Sequence, residues 1–165
     1  MKILVCISNV PDTTTKITFT DNNTQFNTAG VQYILNPYDE IALARAIELC
    51  EGGKGTVTVI NVGEASTEPT IRKALAIGAD DAVRVNAAPR DGYFVAYQIA
   101  QYAKDKGFDM ILTGRESIDY NGAQVAAIDA EQCQPRREHP ELLERVRDIA
   151  LVDDQSPRIG SGERV

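Results

Sequence analysis

Histidine is almost absent from this sequence. Among 165 residues there is one, His139, and there is no tryptophan. A Ser-His-Asp relay needs an imidazole beside its nucleophile, and His139 lies late in the chain in an Arg-rich segment, where it reads as a surface residue. The three cysteines, Cys6, Cys50 and Cys133, are far apart. An odd number with no Cys-x-x-Cys pair gives neither a disulfide framework nor a zinc site. Basic charge is short too: 17 Lys and Arg against 24 Asp and Glu leave a net charge of -7. A nucleic-acid partner needs a basic face and is not expected, although backbone N–H groups can still hold a phosphate. No apolar run is long enough to span a bilayer, so no membrane insertion is expected. Polar residues follow MKILVCIS at once, where a signal segment would stay apolar. The chain therefore reads as a soluble protein of a reducing, cytoplasmic compartment. Two nucleotide motifs are missing as well: G-x-x-x-x-G-K-[ST], and G-x-G-x-x-G after the first strand. Asp80-Asp81 is a carboxylate pair at a helix-to-strand turn, where acids are common, and reads as structural.

What is present is an alternation of apolar runs and amphipathic stretches. Lys2–Ser8 (KILVCIS) is a short continuous apolar run, as in a strand buried on both faces of a parallel sheet, and Gly55–Gly63 (GTVTVINVG) reads as a second buried strand. Short runs at Ala82–Val85 and in FDMILTG predict two more strands. Lys16–Phe19 and Gln25–Phe26, around Asp21-Asn22-Asn23, predict a hairpin or an excursion of short strands. Asn36-Pro37 opens a helix, with Asn as the cap and Pro at the first helical position. Leu43, Ala46, Ile47 and Cys50 form its apolar stripe, and Gly52-Gly53 ends it. A second helix starts near Ser66 or Thr67, turns Ile71, Ala74 and Leu75 inward, and stops at Gly78. A third covers Tyr93 to Lys104, with Val95, Ile99 and Tyr102 at helical spacing, and NGAQVAAIDAEQ starts a fourth. Strands and helices alternating four times predict an α/β fold: a Rossmann-like parallel sheet with helices on both faces.

In such sheets ligands bind outside the carboxyl ends of the strands. Four segments lie there: Ser8–Thr13, Val62–Ser66, Asn86–Asp91 and Gly114–Gln124. The last, within GRESIDYNGAQVAA, is the most suggestive. Gly114 permits close backbone approach, and Asn121-Gly122 tolerates positive φ and leads into a helix N-terminus that favours anions. By composition alone it is either a phosphate site or a well-capped strand–helix loop.

The chain changes character near Gln132. Residues 133–165 hold six Arg and no Lys, whereas residues 1–132 hold six Lys and five Arg, and no aromatic residue follows Tyr120. The expected division is a nucleotide-binding α/β domain over 1–132 and an atypical tail over 133–165, partly helical or disordered. Within that tail Glu141–Leu151 has amphipathic helical spacing, and no fifth strand is expected.

Four segments together resemble the beta subunit of electron transfer flavoproteins. They are ILVCISNVPDT (Ile3–Thr13), ILNPYDEIALARAIEL (Ile34–Leu49), TIRKALAIGADDAVRV (Thr70–Val85) and GRESIDYNGAQVAA (Gly114–Ala127), in family order and at family spacing over residues 1–130. The resemblance implies an ETF-type fold of the adenine nucleotide alpha hydrolase-like class. It also implies a heterodimer with an alpha subunit and an electron carrier without catalytic residues of its own. In the family, a FAD held with the alpha subunit carries electrons from acyl-CoA or other dehydrogenases to a quinone reductase or other acceptor. The beta-subunit pocket holds AMP or, in some members, a second FAD. Carried over by residue, the pocket takes Cys6 near the adenine, the helix start Asn36, Pro37, Tyr38 and Asp39, and Val62 at the second strand's end. Around the ribose and phosphate come Gly114, Arg115, Asp119, Asn121, Gly122, Ala123, Gln124 and Val125. Three departures stand out: Ser8 replaces a family Lys, Asn121 replaces an Asp, and Ala126-Ala127 replaces Gly-Pro. The tail resembles nothing in the family, and a truncated beta subunit with a foreign or frameshifted end is the expectation. The alternative from another class is a stand-alone adenine-nucleotide-binding regulator on a related α/β fold.

Overall fold

The computed structural model describes residues 1–133 and 148–152. Its centre is a parallel sheet of five strands: β1 (Lys2–Cys6), β6 (Thr56–Val62), β7 (Asp81–Val85), β8 (Met110–Gly114) and β9 (Asp148–Val152). Their spatial order is β7-β6-β1-β8-β9, and every pairing is parallel. Four helices belong to it: α1 (Pro37–Cys50), α2 (Glu68–Ile77), α3 (Gly92–Ala103) and α4 (Gln124–Cys133).

The apolar runs are buried on both faces, as their composition predicts. In β1, Ile3 and Val5 pack with Leu43, Ala46, Ile71 and Ala74 on the α1 and α2 side. Leu4 and Cys6 face the other way and pack with Ile60, Ile99, Ala103 and Phe108 on the α3 side. A strand interior to a covered sheet has no polar face to display, so its sequence shows no alternation.

Helix boundaries follow local chemistry. Pro37 occupies the first turn of α1, with Asp39 and Glu40 beside it. Gly78 ends α2 at a φ of 137, a conformation that L side chains rarely adopt. Asp91 caps α3 by accepting the Phe94 N–H.

Between β1 and α1 the chain makes an excursion. The hairpin of β3 (Phe19–Thr20) and β4 (Gln25–Phe26) is antiparallel, with Asp21, Asn22 and Asn23 all at positive φ in its turn. Asn9–Pro11 (β2) then pairs antiparallel with Tyr33–Leu35 (β5). This pairing returns the chain to where it left the sheet, and Asn36 N–H donates to the Ser8 carbonyl at 3.1 Å. The start of α1 is thereby fixed against the carboxyl end of β1.

Three expectations are corrected. Leu75 was expected inside but is 39% exposed, while Ile71 and Ala74 are buried. The segment Ser8–Thr13, expected only to lie outside the carboxyl end of the first strand, contains β2. Residues 148–152 (DIALV) form a parallel fifth strand beside β8, where a helix over Glu141–Leu151 and no further strand were expected. Four apolar residues after Asp148 suit either structure by periodicity, and here pairing with an open sheet edge decides. The first seven residues of that expected helix lie outside the described residues, as does His139.

Candidate functional site at the strand switch point

From β1 the chain proceeds outward through β6 to β7, then crosses back to β8 on the other side of β1. The switch point therefore lies between the carboxyl ends of β1 and β8, where open α/β sheets bind ligands. The two segments there are Ser8, after β1, and Gly114 onward, after β8.

The start of α1 reaches across this crevice. Asn36 is 1% exposed, and its side chain does not cap the helix. Its Nδ2 instead donates to the Glu116 carbonyl at 2.9 Å, tying α1 to the loop after β8. Asp39, 6% exposed, is the second tie. Its Oδ2 accepts the Ser8 N–H at 2.8 Å and the Ser8 hydroxyl at 2.5 Å, and its Oδ1 accepts the Gly114 N–H at 3.1 Å. Burial pushes its carboxyl pKa up to about 6; the bonds from Ser8 and Gly114 and the neighbouring Asn36 amide pull the other way. Tyr38 is the third tie: Arg115 lies over its ring at 4.8 Å and donates to its hydroxyl at 3.0 Å. Arg115 also pairs with Glu116. Pro37 is exposed between them.

The loop itself is folded on Ser117. Ser117 N–H donates to the Gly122 carbonyl and Asn121 N–H to the Ser117 carbonyl, each at 3.0 Å, while Gly122 N–H reaches Ser117 Oγ at 3.2 Å. Asn121 is at a φ of 57. Asp119 is exposed and accepts the N–H of Tyr120. Asn121 and Gly122 therefore spend their N–H groups inside the loop, which leaves the first turn of α4, from Gln124, as its anion-favouring end. Ala123 and Gln124 are exposed there, and α3 comes close: a Cβ on Gly92 would lie 3.3 Å from that of Gln124. Cys6, Val62 and Val125 share the apolar cluster on the α3 face of the sheet.

Eight of the fourteen sequence-derived residues fall into two contiguous groups, while Pro37, Asp119, Asn121, Gly122, Ala123 and Gln124 belong to neither. Asn36, Tyr38, Asp39, Gly114 and Arg115 are joined by hydrogen bonds and ring contact, and Cys6, Val62 and Val125 by apolar packing. Ser117, Glu116 through its carbonyl, and Gly92 were not singled out. Their roles depend on loop conformation and helix approach, which residue type alone does not encode.

Buried polar atoms are almost always paired, so the exceptions are informative. Among the described residues, Asn36 Oδ1, Asn61 Oδ1 and Thr113 Oγ1 are buried without a hydrogen-bond partner. All three belong to the carboxyl half of the sheet: Asn61 near the end of β6, Thr113 one residue before Gly114, and Asn36 beside the ends of β1 and β8. The described residues hold no group of three or more His, Cys, Asp or Glu able to bind a metal ion, and no helix long and apolar enough to cross a membrane. An open depression of about 250 Å³ lies at the opposite pole, lined by Ile47, Cys50, Val57, Gly78 and Asp80. It is remote from these orphaned atoms and does not mark the site.

Residues 23–134 match the electron transfer flavoprotein domain family. The electron transfer flavoprotein subunit beta of Bacillus subtilis is 38% identical over 135 residues, covering 79% of this chain and 52% of that protein. The protein FixA of Azotobacter vinelandii is 36% identical over 132 residues, covering 76% of this chain and 47% of its own length. The acryloyl-CoA reductase electron transfer subunit gamma of Anaerotignum propionicum is 33% identical over 159 residues, covering 92% of this chain and 59% of that protein. The chain spans about half the length of the curated relatives it matches. With its α/β sheet and four motif segments, the chain belongs to the electron transfer flavoprotein family, on the side of the beta subunits.

Proposed function

We propose that this chain is a nucleotide-binding electron transfer subunit, holding AMP or FAD at the switch point and acting with an alpha-type partner. The observation that carries the reading is the pair of buried polar atoms left without partners beside the ends of β1 and β8, Asn36 Oδ1 and Thr113 Oγ1. Asn36 Oδ1 is an acceptor and Thr113 Oγ1 is both donor and acceptor. Ribose hydroxyls and an adenine amino group complement such a set, and the first turn of α4 suits a phosphate. Cys6, Val62 and Val125 offer an apolar surface for a base.

Asn36, Thr113 and the Gly114–Val125 loop would hold the nucleotide, and Arg115, exposed on Tyr38, adds the site's positive charge. A FAD shared with the partner would supply the redox chemistry. This chain's own residues bind and orient, and the proposal assigns them no covalent or proton-transfer step. Electrons would pass from a dehydrogenase to a quinone reductase or other acceptor. The relative named as an acryloyl-CoA reductase subunit supports an acyl-CoA-linked redox partner, there on the accepting side, since a reductase passes electrons to its acyl-CoA.

The test is to produce the chain with an alpha-type partner, purify the complex and identify the nucleotide released on denaturation by mass spectrometry. AMP or FAD at one per chain is the expected result. A complex free of adenine nucleotide would overturn the reading. A nucleotide-loaded monomer that recruits neither partner nor flavin would replace it with a stand-alone regulator.

A further inference from the structure

The two strands that flank the switch point pair in the sheet as far as Val5 and Leu112, and beyond that pairing their carboxyl ends are bridged by one carboxylate. Asp39 accepts from Ser8 twice, at 2.8 and 2.5 Å, and from Gly114 once, at 3.1 Å. Ser8 follows β1 and Gly114 ends β8. The contact exists only because residue 114 is glycine: a Cβ there would stand 2.3 Å from Asp39 Oδ1 and 2.7 Å from the Asp39 backbone nitrogen. Both carboxylate oxygens are thus engaged by the chain's own donors beneath the crevice. A carboxylate so placed repels a phosphate rather than binding it.

All three of these bonds are donated to Asp39, so the ionised carboxylate is the form that matches them. A protonated carboxyl brings a donor of its own into a shell of donors. One of the three bonds must then weaken, and the weakened bond releases either the end of β1 or the end of β8. The surrounding elements bring few charges. Ser8 and Gly114 bring none. Glu40, next on α1, is ion-paired with Lys73 at 2.8 Å. Arg115 and Glu116, beyond Gly114, are paired with each other, and Arg115 also engages Tyr38.

We infer that Asp39 is a positioning residue: ionised, it latches the carboxyl ends of β1 and β8 at a fixed separation, and protonation loosens the crevice and weakens ligand binding there. The inference rests on the nucleotide reading for its ligand, but the latch has a ligand-free readout. With burial pushing the pKa up to about 6, the change falls in an accessible range.

The experiment has two arms. In the first, the amide resonances of Ser8 and Gly114 are followed by NMR in the free protein between about pH 5 and pH 8. They are expected to shift together with one midpoint near 6, and to stop doing so in Asp39→Asn. If Asp39→Asn does not fold, Ser8→Ala serves instead: it removes one donor to the ionised form, so the Gly114 midpoint should move upward. In the second arm, FAD binding is measured at about pH 7 and about pH 5, since its phosphodiester groups stay ionised throughout, with AMP alongside. If only the ionised form binds, affinity falls about tenfold across that range. Amides that do not titrate, or titrate with separate midpoints, sink the latch whether or not nucleotide binds. Titrating amides with pH-independent binding sink the positioning role. Titrating amides with no binding of either nucleotide sink the nucleotide reading, and the positioning role with it.

Discussion

At the scale of single residues, the contrast is between what Asn36 and Asp39 look like in sequence and what they do. Asn before Pro at a helix start is a capping signal. The structure keeps the helix start but spends the Asn36 amide on Glu116 and leaves its Oδ1 buried without a partner. An acid in the first helical turn is ordinarily a favourable exposed charge. Asp39 is buried, and losing its hydration outweighs the hydrogen bonds it gains, so its pKa rises from 3.8 to about 6. A raised carboxylate pKa means that the folded state binds the proton more tightly than the unfolded state. Protonation thus relieves the burial penalty and favours the fold as a whole even while it weakens a bond to Ser8 or Gly114; this stabilisation is present below about pH 4 and is lost as pH rises through about 6. The stability of wild type relative to Asp39→Asn should therefore fall by about 3 kcal/mol between about pH 4 and pH 7 in urea unfolding. A difference that stays constant with pH would contradict this. Gly114→Ala places a methyl group against Asp39 and the Tyr38 carbonyl carbon. It should cost about 1–3 kcal/mol, measured the same way.

Among the elements, the strands that sequence reveals best are those covered on both faces. β1 is an apolar run after Lys2 and β6 is rich in Val and Ile, and both suit a strand covered on both faces. The short pair β2 and β5 carries no such signal. Three residues on each side cannot express a period, and the pairing is dictated by the need to bring the chain back beside Ser8. α2 shows a subtler limit. Ile71, Ala74 and Leu75 all satisfy helical spacing, yet only the first two reach the sheet. The helix buries Thr70 together with Ile71 and Ala74, so its inward face is turned toward Thr70 and away from Leu75. Ile71→Ala should accordingly cost about 2–5 kcal/mol, while Leu75→Ala should cost under about 1 kcal/mol. Equal costs in chemical denaturation would show that α2 sits differently. β9 was missed because DIALV has the length and composition of either a strand or a helical turn, and the free edge of β8 is a feature of the sheet, not of the segment.

For the whole molecule, the order β7-β6-β1-β8-β9 places one crevice where the chain reverses direction across β1. The residues carried over from the family gather around that crevice although they come from distant parts of the sequence. This much was legible because motif order follows strand order. The ring of donors around Asp39 and the folding of the loop onto Ser117 were not, because both arise from approach distances between elements. A net charge of -7 surrounds a site expected to take a phosphate, so binding must come from local N–H groups and few positive charges. Ala123, exposed and next to the first residue of α4, is the place to test this. An acid there suits the helix dipole and should leave folding intact, but it opposes an anionic ligand. The decisive measurement is calorimetric titration of AMP into wild type, Ala123→Glu and Ala123→Lys. The account predicts one site in wild type, binding weakened about tenfold by Glu, and binding kept or strengthened by Lys. No binding to wild type, or the same affinity in all three, would contradict it.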